Sequence, residues 1–296
     1  MKKKMKLADE KTKRRNRVSY KLYTGVLFLA LSWVVVFSWL YGSTVLNERK
    51  DIIEKEQEVI FNMSKIIAVQ TSNYFKQIHM FMITADMWLT SHPEADPRID
   101  ADFVALVDAF RESSNGKIDI RLVSDEGGLF YIPSENMTPL ANVSDRLYFT
   151  AQFSDSNRGF FISDPVKSRV TGVWGIPISY PLSNKNFKLS VIFASIEIQV
   201  LEDIYLPLRS NVNETIILVR NDGTTLAHTP FNDEVLGKDI VNWPWWEDMI
   251  GDTETGFIFD KKDDGKTITS MAAYHTLDDL PLIVIVVADM KSTLET

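Results

Sequence analysis

Ile118-Asp-Ile-Arg-Leu-Val-Ser-Asp-Glu-Gly127 and Thr215-Ile-Ile-Leu-Val-Arg-Asn-Asp-Gly223 are two short apolar runs, each closed by a turn that contains Asp and Gly. Asp125 and Asp222 stand 97 positions apart. Downstream, Arg158-Gly-Phe-Phe-Ile162 matches Thr255-Gly-Phe-Ile-Phe259, and Gly159 and Gly256 repeat the offset of 97. A constant offset at two separate places marks an internal repeat. Each copy ends in a pair of strand-length apolar runs, residues 173–181 with 187–196 and residues 267–274 with 282–288. Between its turn and its second glycine, each copy also holds a short aromatic segment with a helix-start residue. These are Ser144-Asp-Arg-Leu-Tyr-Phe-Thr-Ala151 and Pro244-Trp-Trp-Glu-Asp-Met-Ile250. Asn221-Asp222-Gly223 and Asp263-Asp264-Gly265 are hairpin signals. The pattern predicts an α+β fold: two tandem modules, each an antiparallel sheet covered by helices, linked by a helix over 199–209.

Working back toward the N-terminus, the chain predicts one long helix. From Leu46 an apolar residue recurs every seventh position (Leu46, Ile53, Ile60, Ile67, Tyr74, Phe81), with Val45, Ile52, Val59 and Ile66 in a parallel column, and no proline interrupts before Pro93. A seven-residue period serves a core helix and a dimerising stalk equally well, so both readings stand, the second implying a parallel homodimer. Ahead of it, the 21 residues from Leu22 to Gly42 carry no charge. At about 1.5 Å per residue they span a hydrocarbon core of roughly 30 Å. Tyr20, Tyr23, Trp39 and Tyr41 sit near the two ends, where amphipathic rings prefer the headgroup layer. Tyr41-Gly-Ser-Thr44 is not an Ala-x-Ala cleavage site, so the run reads as an anchor rather than a signal peptide. Leu280 to Ala288 is too short for a second span and reads as a buried strand.

Charge orients the anchor. The first 21 residues hold ten Lys or Arg against Asp9 and Glu10, a net +8, so with a total of −8 the remainder carries −16. A basic leader belongs in the cytoplasm, which puts residues 43–296 outside. An acidic body of that size excludes nucleic acid as a partner. The absence of cysteine removes disulfides, thiolate metal sites and cysteine nucleophiles together. His79, His92, His228 and His275 have no second histidine at metal spacing, and no Gly-x-Ser-x-Gly elbow, phosphate loop or dinucleotide fingerprint is present. No metal, cofactor or catalytic constellation is expected, and an extracytoplasmic hydrolase is the least supported reading.

A single anchor, a long outgoing helix and two PAS-like modules resemble the double Cache sensor domain of bacterial transmembrane receptors, over residues 45–290. The most specific stretch is Asp145-Arg-Leu-Tyr-Phe149, then Arg158-Gly-Phe-Phe-Ile-Ser-Asp-Pro-Val-Lys-Ser-Arg-Val-Thr-Gly-Val-Trp174 and Ile176-Pro-Ile-Ser179. It is similar to the membrane-distal module of sensor diguanylate cyclases. The resemblance implies a small-molecule pocket in that module, walled by the aromatic helix and by the loop before the Thr-Gly turn. In the amino-acid-binding branch an Arg is followed by Trp and Tyr, and an acid four residues after the Asp of the Asp-Pro pair grips the ligand's ammonium. Here Arg146 is kept, Tyr148 and Phe149 fill the aromatic positions, and Ser168 stands where that acid would be, so the ammonium partner is missing.

The residues themselves point the same way. Arg146 lies in an otherwise apolar predicted helix and Arg169 in a loop between strands, and a guanidinium in a concave apolar site binds a carboxylate or phosphate through two parallel hydrogen bonds. For Arg146 the competing reading is a structural ion pair with Asp145, Asp155 or Asp164, and for Arg169 and Lys167 it is that of solvated turn residues. The expected ligand set is Arg146, Tyr148, Phe149, Asp164, Ser168, Arg169 and Trp174, with a small carboxylate-like organic anion as guest. Trp243, Trp245 and Trp246 are expected in the core of the second module. The expected layout is a cytoplasmic leader (1–21), membrane helix (22–42), long stalk and packing helix (43–92), membrane-distal module with the pocket (93–198), linker helix (199–211) and membrane-proximal module (212–296). The function expected is that of an extracytoplasmic sensor anchored in a bacterial inner membrane. Its output domain, a diguanylate cyclase, histidine kinase or chemoreceptor module, lies outside this chain. The alternative is a ligand-free membrane-anchored scaffold.

Overall fold

The computed structural model describes residues 2–154, 159–243, 246–249, 254–261 and 268–290. The chain divides into two units, Met1–Glu56 and Gln57–Thr296. Helix α1 (Lys2–Ser91) supplies the first unit. Among the described residues it is the one helix long and apolar enough to cross a membrane. Leu27, Phe28, Trp33, Phe37 and Trp39 are exposed along it, and the Trp33 and Phe37 rings stack at 5.5 Å. Three of its hydroxyls bond within the helix: Ser32 donates to Leu29 O, and Ser43 and Thr44 to Leu40 O, at 2.7–3.0 Å. That internal satisfaction is what an apolar medium requires.

In the second unit α1 is a core helix. Ile60, Ile67, Phe75, Ile78, Met82 and Ala85 are fully buried, so the seven-residue column turns inward from Ile60 on, while Leu46 stays 70% exposed. Ile52 and Ile66 of the parallel column remain exposed. α2 (Ala101–Ser113) follows, capped by the Asp100 carboxylate, which accepts from the amides of Asp102 and Phe103 at 3.0 and 3.1 Å.

The first sheet contains β1 (Ile118–Ser124), β2 (Gly128–Phe130), β3 (Ala141–Asn142), β4 (Phe161–Ile162), β5 (Val166–Lys167), β6 (Trp174–Pro181) and β7 (Leu189–Glu197). Helix α3 (Leu147–Ser154) lies between β3 and β4, three residues later than the sequence predicts at either end. α4 (Ile198–Tyr205), continued by a tight turn at Leu206–Leu208, is the linker. The second sheet has β8 (Glu214–Arg220), β9 (Thr225–Thr229), β10 (Thr255–Lys261), β11 (Ile268–Thr276) and β12 (Leu282–Asp289), with α5 (Trp246–Met249) before β10. Trp245 and the hairpin signal at 263–265 lie outside the described residues. The strand orders are β3-β2-β1-β7-β6-β4, with β5 also on β6, and β9-β8-β12-β11-β10. β2-β1-β7-β6-β4 therefore corresponds strand for strand to β9-β8-β12-β11-β10, and every pairing is antiparallel.

The repeat register needs one correction. Val123 packs under α3 with Tyr148 and Phe149, and Val219 packs under α5 with Trp246, Tyr274 and the half-buried Trp243. Side chains alternate faces along a strand, so these two valines correspond at an offset of 96, the spacing of Gly127 and Gly223, which sets Asp125 beside Asn221 rather than Asp222. The offset is not constant further on: Gly159 and Gly256 stand 97 apart in sequence, whereas Phe161 faces Ser179 and Ile258 faces Ala272, and those partners, Ser179 and Ala272, stand 93 apart.

α1 is tied to three places in this unit by buried polar contacts. Asp86 accepts from the Ser183 amide and hydroxyl at 2.7 Å each, at the β6–β7 turn. Thr71 meets the Tyr205 hydroxyl of α4 at 2.6 Å, and Ser64 meets His275 Nδ1 of β11 at 2.8 Å. Burial, and then the nearby Lys65, lower the His275 pKa. The unfolded chain, whose His titrates near 6.5, binds that proton first, so stability should be level above about pH 6.5 and fall as the pH drops below it. Thermal unfolding between pH 7 and 5 should show this fall, and His275→Gln should flatten it. Equal slopes for both proteins would mean that His275 does not set the acid limb.

Candidate functional site

The two faces of the first sheet differ chemically. Ile118, Ile120, Leu122, Ile176, Ile178, Ile192, Ala194 and Ile196 form one continuous buried face. On the other, Asp119, Arg121 and Val123 of β1 stand beside Ser195, Phe193 and Val191 of β7. α3, β5 and the turn after β5 roof this second face and enclose a cavity. About 80 Å³ of it admits the centre of a water molecule, several times the ~10–15 Å³ that a single ordered water needs. That is room for a small metabolite.

Of the seven residues expected from sequence, five border the cavity: Arg146, Tyr148, Ser168, Arg169 and Trp174. Phe149 does not. One residue beyond Tyr148 is about 100° around the helix, which turns Phe149 into the core against Val143 and Val123. Asp164 is also elsewhere, with its carboxylate 2.7 Å from Arg220 of the second module. Arg146 is not carried within a helix, as the sequence suggested, but immediately precedes α3. Its carbonyl accepts from the amides of Phe149 and Thr150 at 3.0 Å, which makes it the N-cap residue, its side chain free of the helix surface.

Three guanidinium groups converge here with different partners. Arg169 is clasped by Asp145 in a two-pronged pair at 2.6 and 2.7 Å and donates to Asn142 O at 2.7 Å. This bonding holds the Asp145 carboxyl down to about 2. Arg121 is 5% exposed, bonds Asp119 through Nε at 2.6 Å, donates to the Tyr131 hydroxyl at 3.2 Å and lies 4.5 Å over the Tyr131 ring. Arg146 is half-buried and donates only weakly, to Lys167 O at 3.4 Å. Among the described residues no carboxylate lies within ion-pair distance of it.

The walls suit a neutral or anionic guest. Burial pushes the Tyr148 phenol up to about 12, so it keeps its proton, and its ring packs 4.7 Å from Phe193. The Ser168 hydroxyl oxygen accepts the amides of Val170 and Thr171 at 3.2 and 3.1 Å and shapes the turn. Gly175 forms part of the floor, where a β-carbon would come within 2.7 Å of Ser195 Oγ and 3.1 Å of Ile196 O.

Asp119, Arg121, Lys117 and Glu197 also border the cavity and were not singled out from sequence. The signal was present as an Asp and an Arg two residues apart in an otherwise Ile, Leu and Val strand, which puts both on one face. With the repeat set at 96, Arg121 takes the place held in the second module by the core residue Ile217.

No curated protein matches the chain. Solved structures do. The extracellular domain of rpHK1S-Z16, a protein assigned as a histidine kinase, superposes with a TM-score of 0.65 at 21% identity, covering 82% of this chain and 98% of that one. The periplasmic sensory domain of the Campylobacter jejuni chemoreceptor Tlp1 gives 0.62 at 14% identity, covering 83% and 98%. The ligand-binding domain of the Pseudomonas fluorescens chemoreceptor CtaA, solved with L-isoleucine, gives 0.57 at 18% identity, covering 84% and 98%. At such identities the likeness establishes the fold, two sheets of one strand order behind a long helix. The sequence adds the lineage, for residues 48–296 match the Cache domain family dCache_1, and this chain belongs to that family of sensor domains.

Proposed function

We propose that this chain is the sensing part of a membrane receptor that binds a small organic anion in the cavity of its first module, outside the membrane. α1 then carries the consequence to an output element of the histidine kinase, diguanylate cyclase or chemoreceptor kind. One observation carries the choice of an anion: Arg121 and Arg169 already hold Asp119 and Asp145, whereas Arg146 faces the same cavity with no carboxylate against it among the described residues. A guanidinium fork matches a carboxylate, and the protonated Tyr148 offers a neutral donor without repelling it. Ser168 brings no charge to receive an ammonium. CtaA and the Pseudomonas aeruginosa receptor PctB were solved with amino acids. Here an ammonium would have to turn to Glu197 at the border of the cavity.

The test is thermal unfolding of the whole chain in nanodiscs against acetate, lactate, pyruvate, succinate, malate, citrate and benzoate, with the twenty amino acids alongside. At least one acid lacking an α-ammonium should raise Tm saturably. Stabilisation by amino acids alone would replace the proposed guest with a zwitterion held between Arg146 and Glu197. No stabiliser in the panel would favour the ligand-free scaffold, a reading supported by the internal neutralisation of Arg121 and Arg169.

A further inference from the structure

We infer that Arg220, a residue of the second module, is a positioning residue for the cavity wall of the first, and that this one guanidinium couples the two modules at the ligand site. The inference rests on the reading of the cavity as that site. Arg220 ends β8, and its side chain is 13% exposed. Across the module boundary it donates to Ile162 O at 3.1 Å and to Asp164 Oδ1 at 2.7 Å. Within its own module it holds Asp222 at 2.6–3.1 Å and Thr224 Oγ1 at 3.1 Å, which fixes the β8–β9 turn.

What Arg220 holds in the first module leads directly to the site. Ile162 ends β4, and Asp164 is followed by Pro165 and then by β5. Val166 packs against the Tyr148 and Phe149 cluster and borders the cavity. Lys167 presents its carbonyl to Arg146, the proposed ligand anchor. Only five peptide bonds separate Ile162 from Lys167, and the ring of Pro165 fixes one φ among them. The same proline faces Gly237 of the second module, where an added β-carbon would lie 3.9 Å from its Cγ. A guest that draws Arg146 away from Lys167 O changes the hold on a segment whose other end is pinned by Arg220. The segment therefore has little slack, and the two ends are coupled.

Hydrogen exchange on the whole chain in nanodiscs tests this without any ligand. Arg220→Gln and Asp164→Asn should each speed exchange of amides 166–173 about tenfold, the effect of losing a charge-assisted hydrogen bond on a local opening. Asp164→Asn should also speed exchange in the turn 222–224 of the other module. Asp222→Asn, which removes a contact internal to the second module, should leave 166–173 unchanged, and Arg220→Lys should fall between. Exchange in β7 and β12 reports any global loss of fold, and if Arg220→Gln shows it, Asp164→Asn decides. Changes confined to the mutated module, for both variants, would overturn the coupling and leave Arg220 as a clamp for its own turn. Because no ligand is used, that result would leave the anion reading intact, and an empty ligand screen would leave the coupling intact.

Discussion

Arg146→Ala is expected to abolish stabilisation by organic anions while leaving the ligand-free protein almost as stable as before. A guest that binds only the folded state adds about 2.7 kcal/mol at a hundredfold excess over Kd, and the variant should lose that gain. The ligand-free cost should stay within about 1 kcal/mol, because the side chain is half-buried and gives up only a long contact to Lys167 O. The opposite pattern has a distinct meaning. Were Arg146 an internal structural cation, its removal would orphan a carboxylate, cost roughly 3–5 kcal/mol and leave no acid able to raise Tm. Thermal unfolding of both proteins with and without the best acid separates these outcomes. Arg146→Lys keeps the charge but not the fork, so it should bind with intermediate affinity.

Gly127→Ala is expected to destabilise the fold by about 2–4 kcal/mol, combining left-handed backbone strain with overpacking against fixed atoms. Gly127 has φ of +83°, and a β-carbon there would come within 2.6–2.8 Å of the backbone and Cβ of Ser144. Its carbonyl also accepts the Val143 amide at 2.8 Å, so this glycine seats the loop that delivers Asp145 and Arg146 to the cavity. Gly116→Ala is the matched control, with φ of +70° but nothing within 4 Å of the added carbon, and should cost only about 1–2 kcal/mol. Chemical denaturation of the two variants should differ accordingly. Equal losses would mean that the close approach to Ser144 is not enforced in the folded protein.

The repeat was legible because it rests on local chemistry. A glycine turn closing an apolar strand appears in the sequence wherever it occurs, and Gly127 and Gly223 both take up the positive φ that such a turn requires. The helix long and apolar enough to cross a membrane was legible for the same reason, since length and lack of charge are properties of a contiguous stretch. So was part of the cavity roof: Arg146, Tyr148, Ser168, Arg169 and Trp174 come from one short region that folds over itself. The errors arose where a single residue of phase decides a direction. Phe149 points into the core because it follows Tyr148 on a helix, and the turn repeats at 96 rather than 97 because the second copy has one residue more between Gly223 and Gly256 than the first has between Gly127 and Gly159.

Only the tertiary structure could decide which charges are already spent. Asp145 and Arg169 are 24 residues apart in sequence, and Asp164 and Arg220 are 56 apart, yet each pair meets within 2.7 Å. By sequence distance Asp145 was the nearest partner for Arg146, and Asp164 was another candidate. The fold assigns both elsewhere, Asp155 lies outside the described residues, and among the described residues Arg146 faces the cavity with no carboxylate against it. An ion pair forms where two groups are brought within a few ångströms, and across strands and modules that proximity is set by register and docking, which no local pattern records.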